Sequence, residues 1–188
     1  MSAAAKTTKA TSRTSTPDAI ELLTADHQAV KALFKEFEKI KDRDDAEDDK
    51  SALVRRICAE LTVHAAIEEE IFYPAVREAV DEDDLMDEAD VEHANAKELI
   101  AQLEAATPGD DHYDAKVTVL GELVDHHVEE EEGEMFPKAK KAIDVAALGV
   151  ELAERKAELM EDVGEPEPAE PPPAGKKAQP ARGAKRAS

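Results

Sequence analysis

The chain is expected to be all-α: an antiparallel up-down four-helix bundle with a short extra C-terminal helix and disordered tails. Three observations point there. Ala, Glu, Asp, Lys and Leu dominate the 188 residues, aromatics make up 3% and tryptophan is absent, which is the composition of long helices. Apolar residues recur at alternating spacings of three and four, and no run of β-branched residues reads as a strand. Acidic and Pro/Gly breaks then cut this pattern into rods joined by short connections.

Thr16-Pro17-Asp18 opens the first helix, as a cap followed by proline at the first helical position. Its seam is Ile20, Leu23, His27, Val30, Phe34 and Phe37. The acidic stretch from Asp42 to Asp49 separates it from a second helix, whose seam reads Val54, Ile57, Leu61, His64, Glu68, Ile71 and Ala75. A third helix starts near Asp83 or Asp84 and runs to Thr107, with Met86, Ala89, His93, Ala96, Ile100 and Leu103 on one stripe. After the turn Pro108-Gly109-Asp110, a fourth extends from about Asp111 to Ala142 on Tyr113, Val117, Leu120, Val124, His127, Glu131 and Met135. These are a/d-type seams. A shorter fifth helix covers roughly Asp144 to Met160; its Leu148, Leu152, Arg155 and Leu159 face would cover the bundle or meet a second copy as a homodimer.

Residues 17–162 are therefore expected to form the bundle, flanked by a basic tail at 1–16 and a Pro/Ala/Lys-rich tail at 163–188. Neither tail has enough apolar surface to offset its ordering entropy. Of the formal charge of −21, residues 1–15 contribute +3 and residues 163–188 contribute +2, leaving −26 for the body. A body this acidic repels nucleic acid and anionic membranes and attracts cations in a loose sense. Cys58 is the single cysteine, so no internal disulfide forms and a cytoplasmic location is expected. No apolar run approaches the roughly 18 residues needed to span a bilayer, and the N-terminal stretch does not read as a secretory signal.

Every one of the four seams is interrupted near its middle by histidine, and two also carry glutamate. One histidine on an apolar stripe is usually a satisfied core residue; four on four helices ask for a common cause. A buried glutamate costs several kcal/mol unless a positive partner satisfies it, and a metal ion does so with neutral imidazoles as co-ligands. In His64-Ala-Ala-Ile-Glu68 the polar pair is four residues apart and points inward together, and His127-Val-Glu-Glu-Glu131 repeats it. Glu69 and Glu70 sit round from that face, solvated or behind the ligands. His126 falls off the seam by about 100°, so His127 is chosen, and His112 reads as a surface residue. Phe34, Phe72 and Met135 stand where they would wall a pocket or simply pack, and Cys58 reads as core.

Pro74 and Pro137 each follow the motif histidine by ten residues, and aromatics precede both. Proline kinks a helix, so matched prolines indicate an internal duplication at an offset of 63, with His27 and His93 66 apart in the other helix of each half. Gly133, before Pro137, would give the kink room. Four imidazoles (His27, His64, His93, His127) and two carboxylates (Glu68, Glu131) suit two metal ions, each taking two histidines with the glutamates bridging. Thiolates are lacking for structural zinc, and calcium and magnesium want all-oxygen shells. The mixed N/O set favours iron, with manganese as the alternative.

With Asp26-His27, His64-x3-Glu68, Glu92-His93 and His127-x3-Glu131, the chain resembles the hemerythrin-like (HHE cation-binding) family over roughly residues 17–142. The resemblance implies two non-haem iron ions with an oxo or hydroxo bridge, reacting with O2, H2O2 or NO, and a role in oxidative or nitrosative stress. Oxygen carriers of that family have a fifth histidine one turn before the position of His93, where this chain has Ala89; Lys97 lies one turn after. The open position implies redox turnover, a peroxide-decomposing (catalase-like) or NO-related activity, ahead of reversible storage. Sensing of oxygen or iron is the alternative from a different class. Glu92 points away from the ligand face and is a weaker candidate.

Overall fold

The computed structural model describes residues 16–43, 45–80 and 83–163. The expected tails fall almost wholly outside them. The elements in order are α1 (Ala19–Ile40), α2 (Glu47–Ile67), a π-helical turn π1 (Glu68–Phe72), α3 (Tyr73–Ala79), α4 (Asp83–Glu104), α5 (Tyr113–Glu130), a second π-helical turn π2 (Glu131–Met135), α6 (Phe136–Ala142) and α7 (Val145–Val163). No strand occurs among the described residues. α2, π1 and α3 are one continuous rod, as are α5, π2 and α6. With α1 and α4 they make the four-helix bundle, in which α1 neighbours α2 and α5, and α4 neighbours α5 and α2. The fold is the one expected from the seams.

The helix starts follow local chemistry. Asp18, rather than Thr16, caps α1: its carboxylate accepts the Glu21 N–H at 2.8 Å, and the Glu21 carboxylate accepts the Asp18 N–H at 3.1 Å. This Asp-x-x-Glu capping box satisfies two end donors at once, so Pro17 lies one residue outside the helix. Asp144 caps α7 through the N–H groups of Ala146 and Ala147. His112, exposed at the start of α5, adopts a left-handed conformation at φ 66°.

The two prolines produce something other than simple kinks. Proline donates no hydrogen bond and crowds the carbonyl one turn earlier; here the turn before each proline widens to a π-helical one, closed by Tyr73 N–H to Glu68 O and Phe136 N–H to Glu131 O. The wider turn takes in one more residue, so the seam shifts by one. Ile71 and Ala75, expected inside, are only partly buried, and Phe72, Tyr73 and Val76 fill the core. Gly133 does not make room for anything: a Cβ there would meet no atom within 4 Å.

The core divides into two apolar blocks. One holds Val30, Leu33, Phe37, Ile57, Cys58, Val117 and Leu120; the other holds Leu23, Ile67, Phe72, Met86, Met135 and Leu152. Leu152 belongs to α7, which lies on α1, α2 and π1. Gly149 is what lets α7 approach, because a Cβ there would stand 2.4 Å from the Pro17 carbonyl oxygen. α7 thus covers the bundle, the first of the two roles its apolar face allowed. Cys58 is core packing, its thiol pushed up to about 12 by burial.

Candidate metal centre

Between the two apolar blocks lies a layer of buried polar groups. His27 comes from α1, His64 from α2, His93 from α4, His127 from α5, and Glu68 and Glu131 from the first residues of π1 and π2. All six are buried, Glu68 at 0% and Glu131 at 1% exposure.

Their ring nitrogens converge. His27 Nε2 and His64 Nε2 are 3.1 Å apart, with Glu131 Oε2 3.2 Å from the first and Glu68 Oε1 3.2 Å from the second. On the other side His93 Nε2 and His127 Nε2 are also 3.1 Å apart; Glu68 Oε2 lies 3.4 Å from His93 and Glu131 Oε2 lies 3.6 Å from His127. Each glutamate therefore faces both histidine pairs. Donor atoms of His27, His64, Glu68 and Glu131 lie within 4.8 Å of one another, as do those of Glu68, His93 and His127.

The outward nitrogens explain why these contacts call for a cation. His27 Nδ1 donates to Glu132 at 2.9 Å, His93 Nδ1 to Glu69 at 2.9 Å and His127 Nδ1 to Glu92 at 2.7 Å. His64 Nδ1 faces Asp26 at 3.6 Å, an electrostatic contact longer than a hydrogen bond. A carboxylate behind a ligating imidazole fixes its tautomer and aims its second nitrogen. With Nδ1 carrying the proton, His93 and His127 turn two lone pairs toward each other at 3.1 Å. Both oxygens of Glu68 and Oε2 of Glu131 are buried without a hydrogen-bond partner among the described residues. Lone pairs and orphaned carboxylate oxygens gathered in one dry layer fit a metal ion. Two cis donors at a metal–ligand distance of about 2.1 Å stand about 3 Å apart, close to the spacings seen.

Without metal, the same groups hold protons. Burial works against a charged His64, but Glu68, with Asp26 and Glu131 behind it, raises the imidazole to about 10. Burial likewise works against an ionised Glu68, and the adjoining His64 and His93 nevertheless hold it well below the usual carboxylate range. The Tyr73 phenol is raised well above its ordinary value by burial and by the charges of Glu68 and Glu131.

Tyr73 is the central residue that sequence reasoning missed. Its hydroxyl donates to Glu131 Oε1 at 3.0 Å and lies 3.1 Å from His93 Nε2 and 3.3 Å from His127 Nε2. The π1 turn brings it round to this face, which α-helical counting does not foresee. Its counterpart Phe136 stacks on His27 at 5.7 Å with the planes 6° apart. Of the four carboxylates behind the histidines, the sequence offered such a place to Glu69, which takes it, and to Glu70, which does not; Asp26, Glu92 and Glu132 were missed in that role, although a signal existed: Asp26-His27 matches Glu92-His93, and Glu68-Glu69 matches Glu131-Glu132. Glu92 turns to His127 Nδ1, away from the Nε2 atoms. His126 is exposed, and Phe34 sits apart, against Gly121. A small cavity of about 30 Å³ touches all four histidines and is otherwise walled mainly by apolar side chains, including Val30, Leu61, Ile100 and Val124.

A helical bundle whose midsection gathers histidines and carboxylates from all four rods belongs to the class of metal-binding bundles. Residues 18–139 match the hemerythrin HHE cation-binding domain, and the chain belongs to that family. A crystal structure of a hemerythrin HHE cation-binding domain-containing protein from Mycobacterium kansasii superposes with a TM-score of 0.63 at 24% identity, covering 76% of this chain and 87% of that one, a likeness of fold. A Nostoc protein described as a DNA nickase is 31% identical over 116 residues, 62% of this chain but 32% of that protein. The chain thus spans about a third of the length of that relative.

Proposed function

We propose that the domain is a non-haem di-iron protein that binds dioxygen, peroxide or nitric oxide and turns over one of the latter two in stress defence. The observation that carries it is the double use of Glu68 and Glu131, each placed between the pairs His27/His64 and His93/His127. In this reading the histidine pairs hold one ion each and the two glutamates hold the ions together. Mixed imidazole and carboxylate donors select iron, or manganese, over calcium or magnesium. Bound iron supplies electrons and an open coordination position to a small ligand.

The chain's own residues supply the rest. Glu69, Glu92 and Glu132 hold three imidazoles by hydrogen bonds and Asp26 faces the fourth, so all four are pre-aimed. The apolar cavity beside the histidines has room for a small ligand of a few atoms and is walled mainly by apolar side chains. Tyr73, whose hydroxyl lies 3.1 Å from His93 Nε2 and 3.3 Å from His127 Nε2, would give a proton to a small ligand or lend its oxygen to an ion held by that pair. Ala89, buried in the place of a fifth histidine, supports turnover over reversible storage. A sensor reading rests on α7 as a surface for a partner and has no closer observation behind it. DNA cleavage is left with the Nostoc protein: the acidic body repels a polyanion. We take residues 17–162 as the working unit, since α7 is built into the core.

Metal analysis and the near-ultraviolet and visible spectrum of aerobically purified protein, before and after peroxide, test this. About two irons per chain, with di-iron absorption that peroxide changes or consumes, is the expected result. A chain that takes up no iron under anaerobic loading overturns it.

A further inference from the structure

We propose that Glu88, His126 and Glu130 form a second, outer site for a first-row divalent cation, separate from the buried centre. Donor atoms of these three side chains lie within 4.8 Å of one another on the face where α4 meets α5. The register is that of a two-helix chelate. Glu88 and Glu92 are four residues apart on α4, His126 and Glu130 four apart on α5, and each such pair projects from one face. His126 Nε2 is 3.6 Å from Glu130 Oε1 and 3.6 Å from Glu92 Oε1.

Glu92 separates this group from an ordinary patch of surface acids. It is buried, with 8% exposure, and one oxygen is committed to His127 Nδ1. The other, Oε1, makes no hydrogen bond among the described residues and faces the exposed His126 ring. Glu88 and Glu130 pair with no lysine or arginine among the described residues, so no cationic side chain among them neutralises three carboxylates around one imidazole. A cation does, and the body's charge of −26 raises the local concentration of cations. One imidazole with carboxylates suits zinc, iron(II) or manganese(II), and the exposure of His126 makes the ion exchangeable.

Zinc binding, measured by equilibrium dialysis on the full chain carrying its core metal, tests the proposal. Wild type is expected to take up one Zn2+ more than His126→Ala, and Glu88→Gln and Glu130→Gln to weaken that ion by on the order of tenfold each. The content of core metal should be the same in all four proteins. Equal zinc uptake by wild type and His126→Ala overturns the outer site. So does loss of core metal together with the zinc in His126→Ala, which would make the two sites one. Because the readout is a difference between variants, it stands whether or not the core metal is iron.

Discussion

The two halves of the bundle match where they touch the centre and diverge where they touch anything else. His27, His64 and Glu68 in one half answer to His93, His127 and Glu131 in the other, and each glutamate opens a π-helical turn closed by the same backbone bond. The supporting carboxylates obey the same exchange: Asp26 and Glu92 back the histidine of the paired helix, while Glu69 and Glu132 cross to the opposite half. The differences lie one layer out. α7 lies chiefly on the first half, with Lys156 on Asp26 and Arg155 donating to Glu70 at 2.7 Å. The counterpart of Glu70 is Gly133, and Glu92 meets His126 instead of a lysine. The inner residues match because both halves meet on the same buried layer; the presence or absence of α7 separates the outer ones.

The sharpest way to break this symmetry is to remove a glutamate that faces both histidine pairs. Glu68→Ala or Glu131→Ala should empty both positions, whereas His27→Ala or His93→Ala should leave about one ion per chain. Metal content by elemental analysis separates these outcomes. A Glu68→Ala protein that keeps one tightly held ion would mean that the halves bind metal independently.

Next in size is the pH dependence of the metal-free chain. His64 is raised to about 10 in the folded protein, against about 6.5 when unfolded. A raised value favours the folded state while the group is protonated. That contribution is complete below about 6.5 and is lost as pH rises through about 10. Thermal midpoints of metal-free protein should therefore fall from pH 6 to pH 10, while those of loaded protein, where metal replaces the proton, should change much less. Parallel curves for the two forms would count against His64 as a ligand.

Much of this organisation was legible in the sequence. The seams of Val54, Ile57 and Leu61 or of Val117, Leu120 and Val124 define buried stripes whatever surrounds them, and the repeat at 63 residues pairs His64 and Glu68 with His127 and Glu131, which the structure brings together in one buried layer. What was not legible came from winding. A proline announces trouble in a helix but not its remedy, and only the π turn puts Tyr73 and Phe136 inside. The outer carboxylates were visible as repeated letters, yet their purpose depends on which imidazole they reach across the bundle. Glu69 pairs with a histidine 24 positions away and Glu132 with one 105 positions away.

The supporting carboxylates should give smaller, graded effects. Glu92→Gln and Asp26→Asn leave the four inward histidines and two glutamates in place and, if these hold the metal as proposed, disturb only aim and basicity, worth on the order of 10- to 100-fold in metal affinity. The 2.7 Å bond of Glu92 puts it at the upper end and the 3.6 Å contact of Asp26 at the lower. Competition titrations against a chelator will rank them, and an equal loss would show that Lys156 makes up for the longer distance. Tyr73→Phe makes the halves alike: metal content should stay, and any difference between the two ions in the visible or Mössbauer spectrum should shrink. An unchanged spectrum would leave Tyr73 as a bystander to the metal.

The smallest effect concerns the open half. Gly133 lies exposed in π2 with no atom within 4 Å of a would-be Cβ and with no left-handed backbone to require glycine. Alanine there removes freedom from the unfolded chain at no steric cost, which is worth about 0.5–1 kcal/mol. For a domain of this size that is a rise of roughly 1–4 °C in the midpoint. Gly149→Ala, by contrast, drives a methyl into the Pro17 carbonyl and should lower the midpoint by pushing α7 off. Calorimetry on the two variants compares a half with a cover and a half without one. If Gly133→Ala proves as destabilising as Gly149→Ala, then the open face of the second half is occupied too, and a partner covers in solution what α7 covers in the first.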